Sequence, residues 1–226
     1  MRPRGEILHE FVEWPKTKRL FRDIVITEKL DGTNSAIHIS AGYEVAHPSL
    51  FELKPGEAIV DGRLYRLSAQ SRKRIITPGK TSDNYGFAAW VYDNAADLVR
   101  ILGEGLHYGE WYGKGIQRGY GLDGRRFALF NTARWFATGE DGLDSMSTRA
   151  ETSALAGQIG AVPVIYVGVF SEARINHALL SLKTHGSHAA PGFMNPEGVC
   201  IFHTQTRNVF KVTLDNQDAG KWEVAA

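Results

Sequence analysis

Cysteine is nearly missing from this chain: Cys200 stands alone among 226 residues, which excludes an intramolecular disulfide. The eight histidines, His9, His38, His47, His107, His177, His185, His188 and His203, show no H-x-x-x-H or C-x-x-C companion spacing. A structural zinc site is therefore not expected. Charge of either sign is not in surplus, with a formal net charge of +1, so bulk electrostatics neither supports nor excludes a polyanionic partner. Long hydrophobic runs are also lacking; none approaches the roughly 20 residues needed to span a bilayer. Met1-Arg2-Pro3-Arg4-Gly5-Glu6 has no apolar stretch of the signal-peptide kind. These absences predict a cytoplasmic protein with no membrane partner.

What is present suits one large globular unit, since 43% of the residues are hydrophobic and this length can bury a sizeable core. Strand-like segments recur at 24–27, 35–39, 63–69, 127–131, 164–170, 199–203 and 209–214, several of them alternating apolar and polar residues. Three helices are expected. One runs from Phe87 to Leu102 and stops at Gly103. Another opens on the capping box Thr148-Arg149-Ala150-Glu151 and ends near Gly160. The third, capped by Ser171, reaches His185 before Gly186. Strands and helices mixed without a βαβ period predict an α+β fold of twisted antiparallel sheets with peripheral helices. Cys200, within Val199-Cys200-Ile201-Phe202, reads as a small buried hydrophobe. Gly186 to Gly192 reads as a mobile loop.

The segment richest in chemistry is Glu28-Lys29-Leu30-Asp31-Gly32-Thr33-Asn34, directly after the apolar Ile24-Val25-Ile26. A lysine is a nucleophile only when deprotonated, and its unperturbed pKa is about 10.4. Other cations in a cleft lower that value. Gly32 permits a sharp turn and leaves room for a ligand. Local basic clusters follow: Lys16, Lys18, Arg19 and Arg22; Arg72, Lys73 and Arg74; Arg125 and Arg126. The first reads as a solvated face.

The order K-x-D-G-T-N, Tyr108-Gly109-Glu110, Phe127-Ala128-Leu129-Phe130, Pro196-Glu197-Gly198-Val199 and Val209-Phe210-Lys211-Val212 resembles the motif series of the covalent nucleotidyltransferases, the ligases and capping enzymes. Within that superfamily it is most similar to the ATP-dependent RNA ligases of the phage nick-sealing kind. The resemblance extends from Trp14 to Lys221 and implies an adenylyltransferase fold, an ATP-grasp-like ligase catalytic domain, over residues 1–226. No C-terminal OB-fold or helical domain is evident in the sequence, so a partner protein supplying a second domain is an expectation, as is a cellular or phage-encoded origin.

The resemblance implies that Lys29 attacks the α-phosphate of ATP to form lysyl-AMP. AMP would then pass to a 5′-phosphate, and a 3′-hydroxyl would displace it, joining two RNA ends of a nick or of single strands. Such chemistry needs cations and Mg²⁺, for which Mn²⁺ can stand in, more than acid-base groups. By the same resemblance Glu28 reads the adenine edge, Asn34 handles RNA ends, and Arg72 contacts nucleotide or 5′-phosphate through its planar fork. Glu110 binds the ribose hydroxyl, and Phe130 stacks on adenine, whereas Phe127 belongs to the core. Glu197 holds the catalytic metal, a hard cation suited to oxygen, and Lys211 neutralises the α-phosphate. Asp31 is read either as a group near the nucleophile or as a turn carboxylate. The run from Trp111 to Gly121 reads equally as a loop over nucleic acid or as a structural turn.

Two positions depart from the family pattern. Thr213 stands where a second lysine is usual, so that either the electrostatics of the first step is weaker or Lys221 substitutes, and Asn131 stands where aspartate is common. Two other readings compete with an RNA ligase. One is a DNA nick ligase or an RNA-capping guanylyltransferase; the other is a non-catalytic nucleic-acid-end binding protein. Four intact residues, Lys29, Glu110, Glu197 and Lys211, weigh against a mere binder.

Overall fold

Alternation in Asp-Ile-Val-Ile-Thr-Glu-Lys forms β1 (Asp23–Lys29), with Ile24 and Ile26 fully buried and Val25, Thr27 and Lys29 on the opposite face. The protein, described from a computed structural model over residues 10–135 and 146–215, places this strand inside a four-stranded antiparallel sheet. Its neighbours are β10 (Gly198–His203), which β11 (Asn208–Thr213) flanks, and β9 (Val164–Val169) on the other side. Helix α5 (Glu172–His185) covers one face, where Ala178 and Leu182 meet Ile24, Ile26, Val199 and Ile201. Each such fully buried aliphatic side chain stabilises the fold by about 1.5–3 kcal/mol.

A second, seven-stranded sheet carries β3 (Glu57–Val60), β4 (Arg63–Ser71), β2 (Thr33–Glu44), β6 (Gly105–Gly113), β7 (Arg125–Leu129) and β8 (Ile159–Ala161), with β5 (Ile75–Ile76) paired to β4. All its pairs are antiparallel except β7 with β8. Helices α1 (Phe87–Asp93) and α2 (Ala95–Leu102) seal its outer face around Ile37, Leu67, Phe87, Leu98, Trp111 and Phe127. Tilted aromatic pairs knit this core, Trp90 with Trp111 at 5.0 Å and Phe87 with Phe127 at 5.1 Å between centroids. Short helices α3 (Thr132–Trp135) and α4 (Met146–Glu151) lie at its edge.

A third, smaller core of Leu30, Tyr112, Tyr120, Ala128, Val162 and Ala190 fills the junction of the two sheets. The turn from β1 to β2 passes through this junction, so the lysine-bearing segment sits where the sheets meet.

The α+β expectation is met, and every expected strand is present. Four strands were not anticipated: β3, β5, β6 and β8. The helix expected over 87–102 is two helices broken at Asn94 (φ −113°), whose side-chain amide donates to the Trp90 carbonyl at 2.7 Å. Thr148 does not cap a helix; it lies within α4, which ends at Glu151 rather than near Gly160. The Gly186–Gly192 loop is anchored rather than mobile, with Ser187 and Ala190 buried. Among the described residues no helix is long and apolar enough to cross a membrane. Lys221 and His9 lie outside the described residues.

Candidate active site

Lys29 is the last residue of β1, and strand alternation turns it away from the α5 face and toward the gap between the sheets. Its Nζ lies 2.6 Å from Glu197 Oε1. Across the sheet Lys29 pairs with Gly198, which pairs in turn with Thr213. Gly198 has φ +152°, and a Cβ there would strike the Val212 carbonyl and approach the Thr213 Cα at 2.8 Å. Glycine therefore keeps the floor beside Lys29 flat.

Two residues along, Thr27 pairs with Cys200 and Cys200 with Lys211, so these three share the cleft face. The Cys200 thiol is half-buried rather than fully buried, and burial pushes its pKa up. Lys29 and Lys211 pull it down while Glu197 and Glu110 push it up. The four charges thus converge around this one side chain.

The opposing wall comes from the larger sheet. Asn34 on β2 is the direct cross-strand partner of Glu110 on β6. Burial pushes the Glu110 carboxyl up to about 7, against the opposing pull of Lys29, a hydrogen bond from the Gly32 backbone and Arg72. Lys29, Asp31, Gly32, Asn34, Arg72, Lys73, Arg74 and Glu110 line a cleft of about 580 Å³, within the usual range for small-molecule sites. Phe130 follows β7 by one residue, donates its N–H to the Tyr108 carbonyl at 3.0 Å and leaves its ring 42% exposed. Period-two alternation puts it on the same face as Ala128, the partner of Glu110.

Of the residues expected to act together, Lys29, Asn34, Arg72 and Glu110 line the cleft, Glu197 joins them through its contact with Lys29, and Lys211 lies on the same sheet face opposite Cys200. Glu28 does not join them. Its carboxylate faces the other side of β1, is 1% exposed, and accepts from Ser187 Oγ at 2.6 Å and from the His188 and Ala189 amides at 2.8 and 3.0 Å. Both oxygens are engaged there, on the side of β1 away from Lys29. Burial raises its pKa despite those donors. The Lys16–Arg22 stretch is exposed, as a solvated face should be. Asn131 accepts from the Arg134 amide at 3.1 Å, which caps α3. Phe127 is wholly buried, and His107 is buried against the Gly103 carbonyl with its pKa pushed down to about 4 by burial.

Sequence reasoning missed two groups. Arg118 and Tyr120, in the glycine-rich run after β6, both engage Asp31: Arg118 Nε at 2.9 Å from its carboxylate, and Tyr120 Oη accepting its amide at 2.7 Å. That run is a structural turn, with Ile116 and Tyr120 buried. An arginine among glycines was the only local signal. Ser187 was the other omission, and nothing near it in sequence points to Glu28.

Glu197 Oε2 is buried with no hydrogen-bond partner among the described residues. A hard divalent cation or its bound water satisfies such an oxygen. Among the described residues no three His, Cys, Asp or Glu side chains cluster as a metal cage.

Comparison with known proteins follows the same line. No curated protein matches the sequence. Structures of the Naegleria gruberi RNA ligase resemble the chain: a lysine variant with AMP and Mn (TM-score 0.49, 15% identity, 87% of this chain and 51% of that one) and an arginine variant with ATP and Mn (0.49, 15%, 88% and 53%). The same ligase with PPi matches at TM-score 0.47 and 16% identity over 95% of this chain and 62% of that one. The chain thus spans between half and two thirds of the length of those proteins. The RNA ligase family model matches residues 22–213, from just before β1 to the end of β11, and the chain belongs to the RNA ligase family.

Proposed function

We propose that the chain is the adenylylating domain of an ATP-dependent RNA ligase. The observation that carries this reading is the Lys29 Nζ–Glu197 Oε1 contact of 2.6 Å, set in a cleft whose far wall presents Arg72, Asn34 and Glu110. An amine, a buried carboxylate with one free oxygen, and a ring of cations are what nucleotidyl transfer to lysine requires.

In the first step Lys29 Nζ bonds to the α-phosphorus of ATP as the bond to the pyrophosphate oxygen breaks. The ammonium must first shed a proton, and Glu197 Oε1 is the acceptor in reach. Lys211 and Arg72 stabilise charge on the phosphoryl oxygens, with Arg72 able to bind two at once. Glu110 accepts from ribose hydroxyls and Phe130 stacks on the base. A Mg²⁺ or Mn²⁺ ion held at Glu197 would supply further positive charge to the phosphates. Asn34, beside Glu110, is placed for the incoming end. AMP then moves to an RNA 5′-phosphate, and a 3′-hydroxyl displaces it. Residues 22–213, the span that the family model matches, serve as the adenylation domain in this reading.

Incubation with α-labelled ATP and Mg²⁺, then denaturing electrophoresis, tests it. The expected result is an acid-labile adduct that Lys29→Ala abolishes. Labelling by GTP alone would favour capping, and no adduct at all would leave a binding protein. Because the motif series resembles the phage nick-sealing kind, nicked duplex RNA is the first substrate to try, followed by single strands. A nicked all-DNA duplex sealed faster than any RNA would overturn the assignment to RNA.

A further inference from the structure

The geometry assigns Arg118 to a positioning role: one guanidinium, outside the cleft, holds in register the three segments that deliver Lys29, Glu197 and Lys211. Arg118 sits in the turn between β6 and β7, on the larger sheet, and is largely buried at 19% side-chain exposure. Its Nε donates to Asp31 Oδ2 at 2.9 Å, two residues beyond Lys29. Its Nη1 donates to the Asn195 side chain at 3.0 Å and to the Asn195 and Pro196 carbonyls at 3.2 and 3.3 Å, immediately before Glu197. Its Nη2 meets Asp215 Oδ2 at 3.0 Å, just past the end of β11. All three nitrogens of the fork are used, each toward a different segment.

Only a planar fork with five donors can do this from one position. Two negative partners, Asp31 and Asp215, offset the desolvation of a guanidinium that is mostly out of water. The turn that carries it is rigid in its own right. Gln117 and Tyr120 both hold positive φ (+43° and +55°), and the buried Tyr120 hydroxyl takes the Asp31 amide. Asp31 is thus clasped twice from the larger sheet, by its backbone and by its carboxylate. The segment leading to Glu197 is clasped by the same arginine. Arg118 does not line the cleft beside Lys29, so it acts through these segments and not on substrate.

The activity arm of the test rests on the ligase reading; the exchange arm does not. In single-turnover labelling with ATP, Arg118→Ala should lower the rate constant by about 100-fold, the loss expected from a small misplacement of reacting groups. The amplitude, which counts folded sites, should be retained. Arg118→Lys should not restore the rate, because one ammonium cannot serve three segments. A reduced amplitude at an unchanged rate constant, or wild-type behaviour of Arg118→Lys, would overturn the role. Should Arg118→Ala fail to fold, Asp215→Asn removes one partner and should give a partial loss of rate; an unchanged rate would count against the clasp. Hydrogen exchange decides independently of activity. In Arg118→Ala, amides at 30–32 and 197–199 should lose protection together while those of β2 and β4 keep it. Protection unchanged at both segments would reject the proposal even if wild type forms no adduct, a result that would separately reject the ligase reading.

Discussion

Lys29 and Glu197 are joined at 2.6 Å from opposite ends of the sequence, one at the end of β1 and the other just before β10. The contact uses Oε1 of the carboxylate and leaves Oε2 buried with no hydrogen-bond partner among the described residues. Glu197→Gln removes both the charge that steadies Lys29 and the hard oxygen that a divalent cation prefers. Adduct formation should fall by about 100-fold or more, the scale of losing a transition-state electrostatic contact. Raising Mn²⁺ should not restore it. Initial labelling rates across a metal titration check this; full rescue by metal would disprove it.

Gly32 is needed for packing and not for a left-handed turn. A Cβ there would press on the Trp111 carbonyl and lie 2.8 Å from Tyr112 Cβ and 3.0 Å from Glu110 Cγ. Gly32→Ala should destabilise the fold by about 1–3 kcal/mol through overpacking and should displace Glu110. Denaturant unfolding paired with ATP titration reads both effects. Wild-type stability would show that β6 can yield.

The loop after α5 is tied to β1 by Glu28. Ser187→Ala deletes the 2.6 Å donor to that buried carboxylate and should cost about 1.5–3 kcal/mol, as for a hydrogen bond to a charged group. Exchange at the His188 and Ala189 amides should rise. No loss of stability would mean that the two backbone donors suffice.

Stability should respond to pH through two groups of opposite sign. Glu110, raised from 4.5 to about 7, stabilises the fold at low pH, and that contribution fades as pH climbs from 4.5 through 7. His107, lowered from 6.5 to about 4, contributes above 6.5, and its contribution is lost as pH falls through 4. Between 4.5 and 6.5 the two slopes oppose each other. Glu110→Gln should therefore unmask a steady fall in stability on acidification, measured by urea unfolding at several pH values. A variant with the same profile as wild type would refute the shift at Glu110.

Phe130→Ala should leave stability nearly unchanged, since the ring is 42% exposed. If that ring stacks on the base, the KM for ATP should rise while the labelling rate at saturation stays near wild type. A fall in kcat with KM constant would assign it elsewhere.

Legibility in the sequence followed the range of the forces involved. The alternation of β1 and of β10 is local and was readable, as were the motifs that carry Lys29 and Glu110, which line one cleft, and Glu197, which meets Lys29. β6 was read only as a motif because Gly109 and Gly113 interrupt its pattern, and neighbouring strands rather than propensity hold it extended. The break at Asn94 depends on one amide that donates to the Trp90 carbonyl, which hydrophobic spacing does not register. The tie from Glu28 to the loop after α5 was not legible because its partners lie far along the chain at Ser187 to Ala189. Its neighbour Lys29 carries the chemistry, but adjacent strand residues face opposite ways.

The two sheets have separate cores, and each holds only part of the cleft. The smaller carries Lys29 and Lys211, with Glu197 just ahead of β10; the larger carries Asn34 and Glu110, with Arg72 just past β4. A half-folded chain therefore owns either the Lys29 amine or the Glu110 carboxylate, never both. Nucleotide would act as a non-covalent staple between the halves, binding only the finished molecule and raising the melting temperature of both sheets in step with its concentration.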